Sequence, residues 1–170
     1  MIAPNNPPTE SVWDYPRPPR LEPTSSRILI HHQGVLIANT TRALRLLETS
    51  HPPVFYIPPT DIALQFLTPS TRHSSFCEFK GSATYWNIDV SSALDAPSPS
   101  ALAPDAAWSY ARPSPSFAAL HSHLAFYASR LDECTVDGEC VTAQPGDFYG
   151  GWITSRILGP FKGPPGTLGW

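Results

Sequence analysis

The sequence is poor in lysine and cysteine, and each shortage excludes a class of protein. Lys80 and Lys162 are the only lysines, and 11 lysines and arginines stand against 14 aspartates and glutamates, which gives a net charge of −3. A nucleic-acid-binding domain normally has a basic stripe, so we expect no nucleic acid among the partners. Three cysteines are too few for a disulfide framework, which fits a reducing compartment.

Long apolar runs are also missing. No stretch approaches the ~18 apolar residues that a membrane-spanning helix needs. Residues 1–8 have neither the basic nor the apolar region of a signal peptide. We therefore expect a cytoplasmic protein with no membrane partner.

Several catalytic and metal-binding motifs are absent. There is no Gly-x-x-x-x-Gly-Lys-Ser/Thr phosphate loop, no Gly-x-Ser-x-Gly elbow and no His-Glu-x-x-His. His31 and His32 are adjacent and would point to opposite faces of a strand. His121 and His123 could face one metal only if they lie in a strand, and no Cys-x-x-Cys accompanies them. We therefore predict neither a metal site nor another cofactor.

Proline and aromatic residues are abundant. The 21 prolines are about twice the ordinary usage, and proline breaks helix interiors. The 8 Phe, 5 Trp and 6 Tyr can fill the core of one domain. These features predict a mainly β, compact single domain with two or three short helices.

The chain divides into a proline-rich arm, residues 1–26, and a β-rich domain, residues 27–170. The arm should be extended and partly polyproline-like, and Trp13 or Tyr15 should anchor it to the domain. Strands are predicted at 27–32, 35–38, 54–57, 76–80, 83–90, 107–110, 124–127 and 134–136. Short helices are predicted at 41–47, 62–67 and 117–120, and 91–105 should be a solvated loop.

The pentapeptide Cys77-Glu78-Phe79-Lys80-Gly81 is the most informative motif. A nearby lysine can lower the pKa of a thiol and activate it. In a regular strand, however, Cys77 and Lys80 point to opposite faces, unless a bulge at Gly81 changes this. Lys80 is therefore the leading functional candidate, and Cys77 is a packed neighbour. In the alternative interpretation, Cys77 is a buried structural cysteine and Lys80 is a surface residue paired with Glu78.

A set of aromatic residues has two interpretations. Most members should belong to the core, because aromatic side chains bury large areas. Several lie in short segments bounded by proline or glycine, where they could instead wall a small-molecule pocket or form a cation-accepting cage. The set consists of Tyr56, Tyr85, Trp86, Trp108, Tyr110, Tyr149 and Trp152.

Motifs along nearly the whole chain resemble those of one family. They are Glu10 to Pro19, Leu47 to Pro53, Phe55 to Pro58 with Asp61, Phe76 to Gly81 with Tyr85-Trp86, Ala107 to Tyr110, Phe126-Tyr127, Val136 to Gly138 and Tyr149 to Thr154. Together they resemble the domain of unknown function 427 (DUF427) family. The resemblance implies a β-sandwich or β-tent-like domain, similar to cereblon-type ligand-binding domains. A nucleotidyltransferase label attached to the family finds no support, because no paired aspartates follow Gly81-Ser82.

The resemblance also implies which residues form the site. The polar positions inside its motifs are Glu48, His51, Tyr56, Asp61, Cys77, Lys80 and Tyr110. As an enzyme of small-molecule metabolism, the protein would use Lys80 as a base, Schiff-base amine or oxyanion stabiliser. Glu48 or Asp61 would exchange protons, and Tyr56 and Tyr110 would orient the substrate.

Two other functions remain open. In a non-catalytic binding domain, Trp86, Trp108 and Tyr110 would form an aromatic cage, with His51 and Cys77 as further ligand contacts. In an interaction module, the arm would dock to a partner or to a second copy, which would make the protein a homodimer. A small organic molecule is the expected partner in the first two cases.

Overall fold

The computed structural model describes residues 7–170, and their regular structure is almost entirely β. The strands are β1 (Glu10–Ser11), β2 (Arg20–Pro23), β3 (Ile28–His32), β4 (Val35–Thr40), β5 (Leu44–Leu47), β6 (Val54–Tyr56), β7 (Leu67–Pro69), β8 (Ser75–Cys77), β9 (Gly81–Asp89), β10 (Leu102–Ser109), β11 (Leu124–Phe126), β12 (Glu133–Val136), β13 (Glu139–Cys140), β14 (Thr142–Ala143), β15 (Trp152–Ile153) and β16 (Ile157–Leu158). The prediction of a mainly β protein is confirmed.

The helical content of these residues consists of 3₁₀ turns. They are Val12–Asp14, Pro59–Asp61, Leu64–Phe66, Ser91–Ala93, Pro115–Leu120 and Ala128–Arg130. None of the helices in the described part of the chain has the length and apolar character needed to cross a membrane.

Three antiparallel sheets form the body of the fold. The largest has the order β11-β10-β9-β7, with β8 also paired to β9; the second is β13-β12-β3-β4, and the third is β2-β5-β6. Ile57 and Leu124 exchange backbone hydrogen bonds of 2.8 and 3.0 Å, which fastens the end of β6 to β11. This bridge places Tyr56, the last residue of β6, against the largest sheet.

Residues on β9 and β10 alternate between two hydrophobic clusters, as strand geometry requires. Ile88 and Ala107 face a cluster built on the isoleucines of β3 and β4. Tyr85 and Trp108 face a second cluster that is mainly aromatic. We call this second group the aromatic cluster; its buried members are Leu46, Tyr56, Ala83, Tyr85, Trp108, Tyr110, Phe117, Leu120, Ala125 and Tyr127.

The helix predicted at 41–47 is wrong, because this segment forms β5. Leu46 packs into the aromatic cluster, whereas Leu47 packs with Val12 and Tyr15 of the arm. Adjacent residues that are buried on opposite sides require a strand rather than a helix. The pairing of β5 with both β2 and β6 therefore overrides helix propensity.

The loop predicted at 91–105 is shorter than expected. β10 begins at Leu102, and Ala101 and Ala103 are buried in the isoleucine cluster. The helix predicted at 117–120 is part of the 3₁₀ turn Pro115–Leu120, and that at 62–67 is reduced to the turn Leu64–Phe66. A composition rich in serine, alanine and proline does not distinguish a loop from a strand that buries alanines.

The described part of the arm packs against its own domain. Val12 and Tyr15 are buried, and β2 is a strand of the three-stranded sheet. Trp13 is 41% exposed, but its ring lies edge-on to Trp170 at 5.4 Å. The first residues of the predicted arm, 1–6, lie outside the described residues.

Candidate ligand-binding site

A cavity of about 220 Å³ lies beside the aromatic cluster. Its walls come from the turn between β8 and β9, from β9 and β10, from the segment after β5, and from the loop after β14. Of the nine residues that the sequence suggested, six line this cavity: Glu48, His51, Cys77, Lys80, Trp108 and Tyr110. The residues were predicted from separate motifs, and the fold brings these six together.

Tyr56 lies behind the cavity wall. It is fully buried, and its ring centroid is 6.3 Å from those of Trp108 and Tyr110. Burial raises the pKa of its phenol, so the hydroxyl stays protonated. This hydroxyl has no hydrogen-bond partner among the described residues. Tyr56 therefore supports two wall residues and does not itself line the cavity.

Asp61 and Trp86 lie outside the cavity. Asp61 accepts hydrogen bonds from Thr40 and Arg42, both at 2.7 Å, and these contacts hold the pKa of its carboxyl below the usual value. Trp86 donates its indole N–H to Ser109 Oγ at 2.9 Å and packs against the isoleucine cluster. Asp61 is thus not placed for proton exchange in the cavity. Of the suggested aromatic cage, only Trp108 and Tyr110 line the cavity.

Lys80 is positioned by a turn rather than by a strand. β8 ends at Cys77, so the strand predicted over 76–80 is too long, and Cys77 and Lys80 both face the cavity. Ser114 clamps the turn: its N–H donates to the Lys80 carbonyl at 3.1 Å, and its hydroxyl donates to the Phe79 carbonyl. Gly81 follows with a φ of +105°, a conformation that favours glycine. Sequence reasoning missed Ser114.

The ammonium group of Lys80 is available to a ligand. Among residues 7–170 it makes no ion pair or hydrogen bond, and it lies 5.7 Å from the centroid of the Tyr110 ring. Burial and the neighbouring Tyr56 raise the pKa of Tyr110, so that phenol is neutral. A half-buried cation therefore stands beside a neutral aromatic wall with its donors free.

Glu48 supplies a negative charge to the same cavity. Its Oε2 lies 3.3 Å from His51 Nε2 and 3.6 Å from Arg17 Nη2. Burial alone would raise the pKa of Glu48, but the His51 hydrogen bond and the charges of His51, Lys80 and Arg17 outweigh it, and the pKa falls below 4.5. Glu48 is consequently a carboxylate at neutral pH. This argues against Glu48 as a general acid.

Gln144 determines how His51 meets Glu48. The Gln144 amide oxygen accepts from the Gly151 N–H at 3.1 Å, and its nitrogen donates to the Lys162 carbonyl at 2.8 Å, which fixes the amide orientation. The same nitrogen lies 3.1 Å from His51 Nδ1, so Nδ1 must accept. The proton of a neutral His51 then sits on Nε2, facing Glu48. Gln144 was not predicted, since no motif signals a buried glutamine.

A Gly-Gly pair lets the loop after β14 close against the aromatic wall. A Cβ on Gly150 would lie 2.1 Å from Trp108 Cη2, and one on Gly151 would lie 2.6 Å from the Pro52 carbonyl oxygen. Trp108 in turn stacks with Tyr127 at a centroid distance of 4.5 Å. The absence of side chains at both positions is therefore what permits this wall.

The cavity has no cluster of metal ligands. Residues 7–170 contain no group of three or more His, Cys, Asp and Glu side chains arranged to hold a metal ion. His121 is exposed and follows a 3₁₀ turn, so the strand geometry that would align it with His123 does not form. All three cysteines are free thiols.

Most of the chain matches the model of one family. The family model described as Domain of unknown function (DUF427) matches residues 20–137, well over half of the chain. The chain belongs to the DUF427 family. Within this DUF427 protein, Glu48, His51, Lys80 and Trp108 lie inside the matched range. A comparison with curated proteins found no match.

Proposed function

We propose that this DUF427 protein binds a small, ring-containing organic molecule in the 220 Å³ cavity. One observation supports the proposal above the others: the free ammonium of Lys80 lies beside the aromatic wall formed by Trp108 and Tyr110. An aromatic wall with a few polar groups is typical of small-molecule sites. Lys80 then contacts an anionic or carbonyl oxygen of the ligand, while the ring packs on the wall.

The size of the cavity limits the ligand. Pockets for drug-sized molecules measure roughly 300–1,000 Å³, so a 220 Å³ cavity suits a molecule with a single ring. Phe76 and Phe148 are 76% and 55% exposed at the mouth. Their exposure gives the entrance an apolar rim.

Binding can be tested with single-ring carboxylates such as benzoate and phenylacetate. We expect them to shift the NMR signals of cavity residues, and Lys80→Met to weaken the binding about tenfold or more, as for a hydrogen bond to a charged group. Arg20→Met is the matched control, because Arg20 is exposed and, among residues 7–170, forms an ion pair only with Glu22, at 3.6 Å. Equal affinities of wild type and Lys80→Met would overturn the proposal.

Catalysis is a second candidate, favoured by the common cavity of Cys77, Lys80 and Glu48. Lys80 would stabilise negative charge on a substrate oxygen, and the Glu48 carboxylate would act as a base rather than an acid. Lys80→Arg separates the two candidates, since it keeps the positive charge but moves it. If Lys80→Arg binds a molecule without turnover while the wild type converts it, catalysis is supported. If the wild type converts no molecule that it binds, the result counts against catalysis.

A further inference from the structure

Lys80 and Glu48 present opposite charges to one cavity without pairing with each other. Both line the cavity, yet no ion pair within 4.0 Å joins them among residues 7–170. The Lys80 charge still lowers the pKa of Glu48, so the two groups are near enough to act on the same ligand. A cavity that holds Lys80 and Glu48 apart predicts a ligand with an anionic group for Lys80 and a cationic group for Glu48.

The two groups have complementary hydrogen-bonding roles. Lys80 can only donate, and an ionised carboxylate can only accept. The Gln144 amide donates an N–H to His51 Nδ1, so this nitrogen cannot take up a proton. His51 therefore cannot pass its Nε2 proton to Glu48 and become protonated on Nδ1 instead. The closest approach of both His51 and Arg17 to Glu48 is at its Oε2, and no hydrogen bond to Oε1 forms among the described residues. Oε1 is therefore the acceptor that we assign to the ligand.

We infer that the ligand is zwitterionic: an anionic group meets Lys80, a cationic or N–H-bearing nitrogen meets Glu48, and a single ring packs on Trp108 and Tyr110. A single-ring aromatic amino acid is the simplest molecule of this class. The inference rests on the proposed function and adds the nitrogen to it. It assigns Glu48 to substrate recognition and Gln144 to positioning, through His51.

Ligands with one charge fit less well. A plain carboxylate satisfies Lys80 but brings a second anion near Glu48, and a plain amine satisfies Glu48 but brings a second cation near Lys80. Like charges in a partly buried site are unfavourable. A plain amine also leaves the Lys80 ammonium desolvated and without a partner, which lowers affinity.

Three probes with the same ring test the inference: L-phenylalanine, 3-phenylpropionate, which lacks the amine, and phenethylamine, which lacks the carboxylate. Their affinities are measured by NMR titration for the full chain and for Glu48→Gln and Lys80→Met. We expect phenylalanine to bind about tenfold or more tightly than either analogue. Glu48→Gln should remove its advantage over 3-phenylpropionate, and Lys80→Met its advantage over phenethylamine.

The outcomes separate the two proposals. If 3-phenylpropionate binds as tightly as phenylalanine and Glu48→Gln changes neither, the zwitterion inference is overturned and the proposed function stands. If none of the three probes shifts cavity signals at millimolar concentration, both are overturned. Because Glu48→Gln alters a half-buried ion pair, its folded state is checked by the amide spectrum; Lys80→Met provides the independent variant if it unfolds.

A structural role for Gln144 is separated from a positioning role by its variants. Gln144→Ala removes the donor to His51, and should reduce the phenylalanine advantage over 3-phenylpropionate while leaving the affinity for 3-phenylpropionate within about twofold. A loss of affinity that is equal for both probes would mean that Gln144 only supports the wall.

Discussion

Gly150 lies so close to Trp108 that a methyl group on its Cα would stand 2.1 Å from Cη2 of the indole. The loop backbone and the ring therefore form one continuous wall. Any side chain at this position must displace the ring or the loop. This contact provides the first test of how the cavity is built.

Gly150→Ala should destabilise the protein by about 1–3 kcal/mol, the usual effect of overpacking a filled region. It should also weaken binding of any ring-containing ligand, because Trp108 moves. Denaturant unfolding and NMR titration measure the two effects. Gly169→Ala is the control, since no described residue other than its chain neighbours lies within 4 Å of a Cβ built there; equal stability of the two variants would contradict the packing argument.

Ser114 holds the turn that carries Lys80, so Ser114→Ala should weaken both binding and stability. The variant loses the hydroxyl that donates to the Phe79 carbonyl, and this bond is worth about 1 kcal/mol. We expect a fall in affinity for single-ring carboxylates of about threefold to tenfold. Ser116 is an exposed serine in the 3₁₀ turn that follows Ser114. Ser116→Ala should change neither the affinity nor the stability. A parallel loss in both variants would show that the clamp does not matter.

The tautomer of His51 can be observed directly. Long-range ¹H–¹⁵N spectra distinguish protonated from unprotonated ring nitrogens, and we expect Nε2 to carry the proton and Nδ1 to accept from Gln144. Gln144→Glu should place a proton on Nδ1, because a carboxylate beside this nitrogen accepts a hydrogen bond and cannot donate one. A wild-type spectrum with the proton on Nδ1 would contradict the hydrogen-bond network inferred for the site.

Acid should destabilise the protein through its paired carboxylates. The folded state lowers the pKa of Glu48 and of Glu10 below 4.5; for Glu10, burial opposes the shift but the Tyr15 and Arg45 contacts outweigh it. A lowered pKa in the folded state gives stability that is complete above the unfolded value and is lost as pH falls through the folded value. Unfolding free energy should therefore decline below about pH 4.5.

Glu48→Gln should flatten this decline, since it removes one of the carboxylates whose pKa is lowered in the folded state. The measurement is a series of denaturant titrations between about pH 6 and pH 3. Parallel curves for wild type and Glu48→Gln would mean that Glu48 contributes nothing to the acid sensitivity.

Periodicity and turn residues predicted much of the fold. The hairpin of β3 and β4 around Gln33-Gly34 follows from two apolar runs and a turn signal, and it forms as expected. β5 was predicted as a helix, because four leucine and arginine residues suit either structure. Only its pairing with the next strand, β6, and with β2, which is distant in sequence, decides between the two.

The candidate site was predictable where residues lie inside recognisable motifs. Lys80, Glu48 and Trp108 were found in this way. Asp61 also lies in a motif, but its carboxylate binds Arg42, and no local pattern reveals which partner a charged residue will meet. Gln144 and Ser114 act through backbone and side-chain contacts that exist only after folding, so no sequence pattern indicates their roles.

Arg17 joins distant parts of the chain beside Glu48, one of the residues that line the cavity. It lies 3.6 Å from Glu48 and also donates to the Trp170 oxygen, 153 positions away in sequence, at 3.4 Å. His51 meets Gln144 across 93 positions. Contacts of such long sequence separation form slowly, because the entropy of closing large loops must be overcome first. We therefore expect the environment of Glu48 to be completed late in folding, so that ligand affinity should report whether a refolded chain has reached its final state.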